Sequence, residues 1–454
     1  MLMPPDIREW LPEGHLVEFV SDVVDELNLK PIMAKYEKGD GRGRPPYHPL
    51  MMVKLLVYGY CIGRFSSRKI EKATYEDVGF RVLACNYHPD HASIAEFRGR
   101  HLKELAGLFV EVLKLCEQAG LVKLGHVAID GSKIRANASK HKAMSYERMC
   151  TKEEQLEAEV ERLLAEAAAV DEAEDREYGK GRRGDELPAE LARRESRLVK
   201  IREAKAALEE EAKVKAEAAK AVAEAKIEER KRQEAETGKK TRGRLPQVPD
   251  PARALPEPKA QRNFTDPESR IMKDGATLSF EQSYNAQIAV DDEAQIIVAT
   301  GLTQEANDKR QLVPMLTAVK SNTGRLPEKA TADAGYFSTA AVTDEAVSEV
   351  DLYVTPDRGK KTEEAELMAE SPPGEHTQTA IEQMREKLKT DEGRFVYKHR
   401  KMIVEPVFGQ VKEVRGFRRF SFRGLKKNAA EWDLVCLTHN LLKLFRSGFR
   451  PQPA

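Results

Sequence analysis

The sequence lacks paired cysteines, a long apolar run and an excess of either charge. Its five cysteines, Cys61, Cys85, Cys116, Cys150 and Cys436, lie far apart, and none forms a CxxC pair. This spacing supports neither a disulfide framework nor a zinc finger. No apolar run reaches the roughly 18 residues of a membrane span, and no signal peptide is recognisable. We therefore expect a soluble, cytoplasmic protein with reduced thiols.

Positive and negative residues are equal in number, but the charged residues are unevenly distributed along the chain. Lys and Arg number 75, as do Asp and Glu, so the total gives no sign of a nucleic-acid partner. Charged residues nevertheless make up 33% of the 454 residues, against roughly 25% in ordinary globular chains. A chain of this length predicts two or three domains, and the location of the surplus charge within them bears on function.

Residues 1–122 are predicted to form a helical N-terminal domain. Apolar residues recur at helical spacing in HPLMMVKLLVYGYCIG. Ser93, three residues before Glu96, has the spacing of a capping box for a helix that ends at Gly120. A plain helical bundle is one interpretation of this domain. The other is a DNA-end-binding domain that uses five basic residues: Arg64, Arg68, Lys69, Arg98 and Arg100.

Residues 141–262 hold much of the surplus charge and are predicted to be an insertion. Apolar residues in 151–170 have heptad-like spacing, glycines and a proline interrupt 179–188, and a second helical run follows. This pattern predicts an antiparallel helical hairpin. A structural arm, a dimerisation element and a catalytic element are the alternatives for its role. A Pro-rich, basic linker at 237–259 has little helix potential.

Two segments, 123–140 and 263–454, are predicted to form an α/β core around a mixed sheet. The first core strand runs from His126 to Asp130 and precedes the insertion. After the insertion, a β-hairpin over 284–303 is followed by alternating helices and strands, the last strand at DLYVTPD. Crossover helices connect parallel strands, whereas the hairpin contributes antiparallel ones. From about Glu375 the chain is mainly helical again.

Asp130 and Asp333 each end a predicted strand. In sheets with crossover helices, ligands bind outside the carboxyl ends of the strands. Gly131 and Gly335 allow the backbone to turn sharply beside the two acids. Two carboxylates at one edge repel unless a cation lies between them, and Mg²⁺ takes one or two carboxylates plus substrate phosphates. Turn capping, or an ion pair with nearby basic residues, is the structural alternative.

The segment 394–427 is strongly basic. It holds eleven Lys or Arg residues against Glu405 and Glu413, a net charge of +9. Aromatic residues are interleaved with this charge: Tyr397, Phe408, Phe417, Phe420 and Phe422. The combination indicates a partner with a phosphate backbone. A merely solvated surface is the alternative.

Glu405 is an acid among many bases. Because Pro406 follows it, a helix is predicted to begin there, with proline at its first position. Lys412 lies seven residues on, about two turns later and on the same face. A carboxylate that binds metal beside a lysine that binds phosphate suits that geometry. An ion pair between Glu405 and Lys401 is the alternative.

In combination, these segments resemble a DDE transposase of a bacterial insertion sequence. More narrowly, the chain resembles the insertion sequence 1182 family, within the group that includes the insertion sequence 4 and 5 transposases. The resemblance covers nearly the whole chain, and the order and spacing of its motifs are specific. The first motif, similar to the N-terminal domain of InsH-like transposases, is GRGRPPYHPLMMVKLLVYGYCIGRFSSRKIE. The others are IDGSKIRANAS, NFTDPESRIMK, YNAQIAVD, TADAGYFS, and VEPVFGQVK followed by RGFRRFSFRG.

The resemblance implies an RNase H-like core in which Asp130, Asp333 and Glu405 bind two Mg²⁺ ions, with Mn²⁺ as a substitute. One ion activates the attacking oxygen and the other stabilises the leaving oxygen. Water attacks in strand cleavage, and a DNA 3′-hydroxyl attacks in strand transfer. The implied partners are the terminal inverted repeats of the element and target DNA, bound by a homodimer at the nucleoid, with no membrane.

The family signature of Tyr, Arg, Glu and Lys corresponds to Tyr397, Arg400, Glu405 and Lys412. Four residues rather than three separate Arg400 from Glu405, so either Arg400 or Lys401 is expected to contact phosphate. The other DNA contacts expected from the basic sequence are Lys133, Arg135, Arg415, Arg418, Arg419 and Arg423.

Three other functions are weighed against transposition. A nuclease with the same core would cut DNA without joining ends. A catalytically silent DNA-binding protein derived from a transposase would need neither metal nor acids, and the presence of all three acids and Lys412 argues against it. A coiled-coil scaffold would account for 151–236 alone.

Overall fold

The computed structural model describes residues 6–36, 46–178, 189–237, 245–273, 278–356 and 379–450. The chain divides into two compact units, one formed by Ala138–Arg270 and the other by the residues on either side of it. A helix long and apolar enough to cross a membrane is absent from the described ranges.

The larger unit begins with a group of helices. They are α1 (Leu16–Glu26), α2 (Lys30–Met33), α3 (Pro49–Cys61), α4 (Ser67–Glu76), α5 (Val78–Leu83), α6 (His91–Arg100) and α7 (Leu102–Gln118). The capping box predicted at Ser93 and Glu96 is wrong. Asp90 caps α6 instead, because its Oδ1 accepts hydrogen bonds from the amides of Ala92 and Ser93 at 2.9 Å each.

The strands, in chain order, confirm the predicted mixture of helix and sheet. They are β1 (His126–Arg135), β2 (Ala143–Ser145), β3 (Gln261–Asn263), β4 (Arg270–Lys273), β5 (Phe280–Asp291), β6 (Ile297–Thr303), β7 (Lys329–Ala332) and β8 (Asp351–Val354). The remaining helices are α8 (Tyr146–Tyr178), α9 (Ala189–Thr237), α10 (Leu312–Thr323), α11 (Thr339–Val342), α12 (Ala380–Lys389), α13 (Asp391–Gly409) and α14 (Leu425–Arg446).

The large sheet has the order β4-β5-β1-β7-β8, and β6 also pairs with β5. β1 is antiparallel to β5 and parallel to β7, and β7 is parallel to β8. The antiparallel pairing of β5 and β6 confirms the predicted hairpin. α10 forms despite Pro314, which lies in its first turn, where amide hydrogens have no partner within the helix.

The prediction that the first core strand ends at Asp130 is wrong. β1 continues to Arg135, because the twelve-residue β5 pairs with it as far as Ser283. Its parallel pairing with β7 nevertheless stops at Ile129, opposite Ala332. The next residues along the two strands, Asp130 and Asp333, therefore leave the parallel ladder at the same level.

The prediction that a helix begins at Pro406 is also wrong. α13 begins at Asp391 and contains Pro406, whose missing amide hydrogen leaves the carbonyl of Met402 without its usual helical partner. Gln295 Nε2 donates to that carbonyl at 2.9 Å, which compensates for the loss. A π-helical turn, Gln410–Val414, follows α13.

α14 is the central helix of the larger unit. It packs against α7, α3 and β6, so the N-terminal helices and the sheet share one apolar core. Trp432 is buried, and its Nε1 donates to the carbonyl of Gln287 at 3.0 Å. The side chain of Asn440 bonds to both the amide and the carbonyl of Ile297.

The smaller unit contains the predicted antiparallel hairpin of α8 and α9. The two helices enclose an apolar cluster made of Met149, Leu156, Leu198, Ile201, Ala204 and Leu208. Glu153 of α8 forms ion pairs with Arg202 and Lys205 of α9. The connecting residues 179–188 lie outside the described residues.

Candidate active site at the ends of the central strands

Asp130 lies in the middle of β1, next to the end of the parallel ladder. Its Oδ1 accepts a hydrogen bond from the amide of Gly131 at 2.9 Å, and its Oδ2 lies 3.6 Å from Arg400 Nη1 on α13. Burial raises the pKa of Asp130 to about 6, although the Arg400 guanidinium opposes this shift. Asp333 and Asp308 raise the pKa of Asp130 further, so other acids lie nearby.

Asp333 follows β7 and begins a tight turn. Its Oδ1 accepts from the amide of Gly335 at 2.8 Å, which is the turn-capping contact expected of an aspartate there. Its Oδ2 accepts no hydrogen bond from a described residue. The structural alternatives, an ion pair for Asp130 and a turn cap for Asp333, are therefore both present, and each acid has an oxygen beyond its local hydrogen bond.

Glu405 lies on the exposed side of α13. Among the described residues it forms no hydrogen bond or ion pair, so the alternative of a Glu405–Lys401 ion pair is not realised. The structure does not place Glu405 in contact with either aspartate. Within the described ranges, no three His, Cys, Asp or Glu side chains are grouped in a way that could already hold a metal ion.

Asp308, which the sequence analysis missed, completes the acidic group. It lies between β6 and α10, and its Oδ1 accepts hydrogen bonds from Asn285 Nδ2 at 2.6 Å and Gln287 Nε2 at 2.7 Å. No local sequence signal marks it, because Asp308 neither ends a predicted strand nor belongs to a recognisable motif. Its position depends on side chains of β5.

Several predicted phosphate ligands lie close to the acids. Lys412 Nζ donates to Ser132 Oγ, two residues beyond Asp130 on β1. The guanidinium of Arg400 lies 5.8 Å from the centre of the Tyr397 ring. Burial lowers the pKa of Lys133, whereas the charges of Asp308, Asp130 and Asp333 raise it. Lys133 of β1 and Arg400 of the basic segment thus lie close to the carboxylates.

The structure corrects the predicted role of Arg415. Its side chain is buried, with Nη1 donating to Thr438 Oγ1 at 2.7 Å and to the carbonyl of Val435 at 3.1 Å. Three of the aromatics taken as part of a nucleic-acid surface, Phe408, Phe417 and Phe420, are likewise buried. These residues stabilise the fold and are not available to DNA.

The same correction applies to Arg98 in the N-terminal helices. Arg98 is buried, and its Nη1 donates to the hydroxyl of Tyr60 at 3.0 Å and to the carbonyl of Phe65 at 2.7 Å. Arg64 pairs with Asp77 and Arg100 pairs with Glu96. Arg68 and Lys69 are exposed on α4, as a DNA-binding interpretation requires.

The exposed basic residues lie next to the end of β1. The amide of Arg135 donates to the carbonyl of Arg418 at 3.2 Å, and the amide of Phe420 donates to the carbonyl of Arg135 at 2.9 Å. The pairing of these backbones brings the basic segment within a few residues of Asp130. The exposed basic side chains expected to contact DNA are Lys401, Arg418, Arg419 and Arg423.

Two family models match the chain. One, described as a transposase domain (DUF772), matches residues 5–100. The other, described as a transposase DDE domain, matches residues 361–445, which include Glu405 and Lys412 but neither Asp130 nor Asp333. Comparison with curated proteins and with solved structures gives no match.

Proposed function

We propose that this chain, which matches a transposase domain and a transposase DDE domain, cleaves the ends of an insertion sequence and joins them to target DNA. Enzymes of this type act on DNA and typically use divalent metal ions. One observation carries the assignment to this site. Asp130 and Asp333 leave adjacent parallel strands at the same level, and the basic segment pairs with the end of the strand that holds Asp130.

An RNase H-like core is part of this proposal. Strand β5 is antiparallel to both β6 and β1, and β7 and β8 then extend the sheet in parallel with β1. This order supports such a core, as does the position of the helical insertion immediately after β1. The narrower assignment to the insertion sequence 1182 family rests on the sequence motifs alone.

The donor set suits a hard divalent cation. Mg²⁺ prefers oxygen ligands and takes one or two carboxylates together with substrate phosphates. Asp130 and Asp333 would supply those carboxylates, and two ions, Mg²⁺ or Mn²⁺, are proposed. Such ions, when bound, polarise the attacking and leaving oxygens of a phosphodiester exchange. Glu405, exposed and unpaired within the described part of the chain, is proposed as the third acid, which requires it to approach the aspartates on the DNA complex.

The basic residues hold the DNA in this scheme. Lys412, fixed beside Ser132, is positioned to contact a phosphate next to Asp130, and the exposed Lys401 is better placed than the buried Arg400 to contact DNA. Arg400 instead lies against Asp130 and favours its ionised form. Joining two ends requires both in one complex, so we propose a homodimer on DNA, with terminal inverted repeats and target as ligands, in the bacterial cytoplasm at the nucleoid.

A cleavage and strand-transfer assay tests this function. Purified protein is mixed with labelled DNA that carries the element's own ends, with Mg²⁺ or with EDTA. We expect metal-dependent cutting and joining that Asp130→Ala and Glu405→Ala abolish, while Glu386→Ala, at an exposed glutamate of α12, leaves both intact. Cutting without joining would favour a nuclease. Binding that neither mutation alters, without any cutting, would leave a silent DNA-binding protein and contradict the proposal.

A further inference from the structure

Asp308 is held by two amide side chains that reach across from β5. Asn285 and Gln287 both donate to its Oδ1, at 2.6 and 2.7 Å. Tyr336, in the turn that follows Asp333, in turn donates to Gln287 Oε1. The same glutamine side chain therefore fixes Asp308 and the turn that carries Asp333, whereas Asp308 Oδ2 accepts no hydrogen bond from a described residue.

Two glycines keep space open beside these carboxylates. A Cβ atom on Gly335 would lie 2.9 Å from Asp333 Oδ1 and 3.4 Å from Asp308 Oδ2. A Cβ atom on Gly131 would lie closest to Gln287 Nε2, and also 2.8 Å from Asp308 Oδ1 and 3.0 Å from Asn285 Oδ1. Oxygens of two acids thus face the space beside Gly335, whereas the amide nitrogen of Gln287 and the oxygens of Asp308 and Asn285 lie against Gly131.

The Asn285 side chain provides an independent indication of a ligand. Asn285 is fully buried, at 0% exposure, yet its Oδ1 has no hydrogen-bond partner. A buried acceptor left unsatisfied costs about 1–3 kcal/mol. This oxygen and Asp308 Oδ1 both lie against Gly131, so a water molecule bound to a cation at Asp308 would satisfy it.

The charges around the site also favour a bound cation. The charges of Asp308 and Asp333 act on Asp130, and all three acids act on Lys133, while Arg400 lies 3.6 Å from Asp130. Three carboxylates against two cations leave a net negative charge at the end of the sheet. Repulsion among the acids is relieved when a divalent cation with oxygen ligands binds between them.

We propose that Asp308 is a further cation ligand of this site, that its Oδ2 joins Asp333 on a divalent ion, and that Asn285 and Gln287 hold it in place. This inference rests on the proposed function and adds an acid outside the predicted triad. No three acids of the described residues are already grouped to hold an ion, so we expect a bound cation to draw Asp308 and Asp333 together beside Gly335, where their oxygens approach the same point.

Binding of Mn²⁺ to the DNA-free protein tests the role of Asp308 without an activity readout. The free Mn²⁺ signal in electron paramagnetic resonance is titrated against wild-type protein, Asp308→Asn, Asp130→Asn and Glu305→Gln. We expect Asp308→Asn to weaken Mn²⁺ binding about tenfold. Asparagine can still accept the two amide hydrogen bonds, so the fold is expected to persist. Glu305→Gln, which removes an acid of the same loop that pairs with Arg310, should bind as wild type does.

The possible outcomes separate this inference from the proposed function. Unchanged Mn²⁺ affinity in Asp308→Asn, with weaker binding in Asp130→Asn, would overturn the role of Asp308 and leave the proposed function standing. Unchanged affinity in both variants would contradict both. If circular dichroism shows that Asp308→Asn is unfolded, Asp308→Glu keeps the charge but moves the carboxylate. It should then bind Mn²⁺ more weakly than wild type, and equal binding would overturn the inference.

Discussion

The basic segment 394–427 divides into a buried part and an exposed part that the sequence does not distinguish. Arg400 and Arg415 are 8% and 6% exposed. Their counterparts Lys401 and Arg419 face solvent. Successive residues of a helix point about 100° apart, so neighbours such as Arg400 and Lys401 have different surroundings. A run of positive charge therefore does not by itself locate a DNA-binding surface.

The two buried arginines also differ from each other. Arg400 lies 3.6 Å from the carboxylate of Asp130, whereas the three hydrogen bonds that Arg415 donates within the described structure go to neutral oxygens of α14. Burial accordingly lowers the pKa of Arg415 to about 10. Arg400 serves the electrostatics of the candidate site, and Arg415 ties the basic segment to the core helix.

The largest effect should come from Arg415→Ala. The substitution removes three hydrogen bonds and leaves a cavity beside α14, so we expect the free energy of unfolding to fall by about 3 kcal/mol. Urea denaturation followed by circular dichroism measures this change. Arg419→Ala, four residues on and exposed, should change stability by less than about 0.5 kcal/mol. Equal effects of the two substitutions would remove the distinction between a buried and an exposed arginine.

Next in size is the pH dependence of stability in the metal-free protein. The pKa of Asp130 is raised to about 6 from its ordinary 3.8. Between these values the folded state keeps a proton that the unfolded state has lost, so the free energy of unfolding falls as pH rises from about 4 to about 6. Arg400→Gln removes the charge that opposes the shift. In this variant the free energy of unfolding should keep falling above pH 6. The total decrease should be larger by about 1.4 kcal/mol for each further unit by which the pKa of Asp130 rises.

Lys401→Gln is the matched control for Arg400→Gln. It removes the same charge one residue away, from an exposed side chain that does not contact Asp130 within the described structure. Urea denaturation in EDTA between pH 4 and pH 8 should therefore give the wild-type profile for Lys401→Gln. A wild-type profile for Arg400→Gln as well would show that Arg400 does not set the ionisation of Asp130.

Local patterns predicted much of the fold but missed features that depend on distant partners. The hairpin of β5 and β6 and the helical insertion follow from periodicity and turn residues. The strand through Asp130 extends to Arg135 because of β5, far along the chain. Pro406 is tolerated inside α13 because Gln295 bonds to the carbonyl that it leaves free. Neither the extension of β1 nor the hydrogen bond from Gln295 can be recognised from the local sequence.

The candidate site was predictable only in part for the same reason. Asp130 and Asp333 were found because each ends a predicted strand, although β1 in fact continues past Asp130 to Arg135. Asp308 was missed because its position is set by amide side chains 21 and 23 residues earlier. The triad role of Glu405 and the phosphate contacts of the exposed bases stay predictions, since they concern the DNA complex.

DNA binding tests the same distinction between buried and exposed basic residues, with a smaller expected effect. Arg419→Ala should lower affinity for end DNA by about 1 kcal/mol and reduce the slope of log K against log salt by about 0.9, the value for one phosphate contact. Arg253→Ala, at an arginine of the smaller unit that is 89% exposed, should leave the slope unchanged. Fluorescence anisotropy at several salt concentrations measures both. An unchanged slope for Arg419→Ala would place the DNA elsewhere.

The smallest expected effect concerns an exposed ion pair in this segment, in which a glutamate neutralises one of the arginines expected to contact DNA. Glu413 pairs with Arg418, and the two side chains are 64% and 62% exposed. Exposed pairs of this kind contribute little, so Glu413→Gln should change the free energy of unfolding by less than about 0.5 kcal/mol. The substitution also releases Arg418 to contact phosphate and raises the positive charge of the surface. End-DNA affinity should therefore rise about twofold at low salt and return to the wild-type value at high salt, where such contacts are screened. A loss of affinity would instead mean that Glu413 holds Arg418 in the orientation that DNA requires, and the exposed part of the segment would then be as dependent on internal contacts as the buried part.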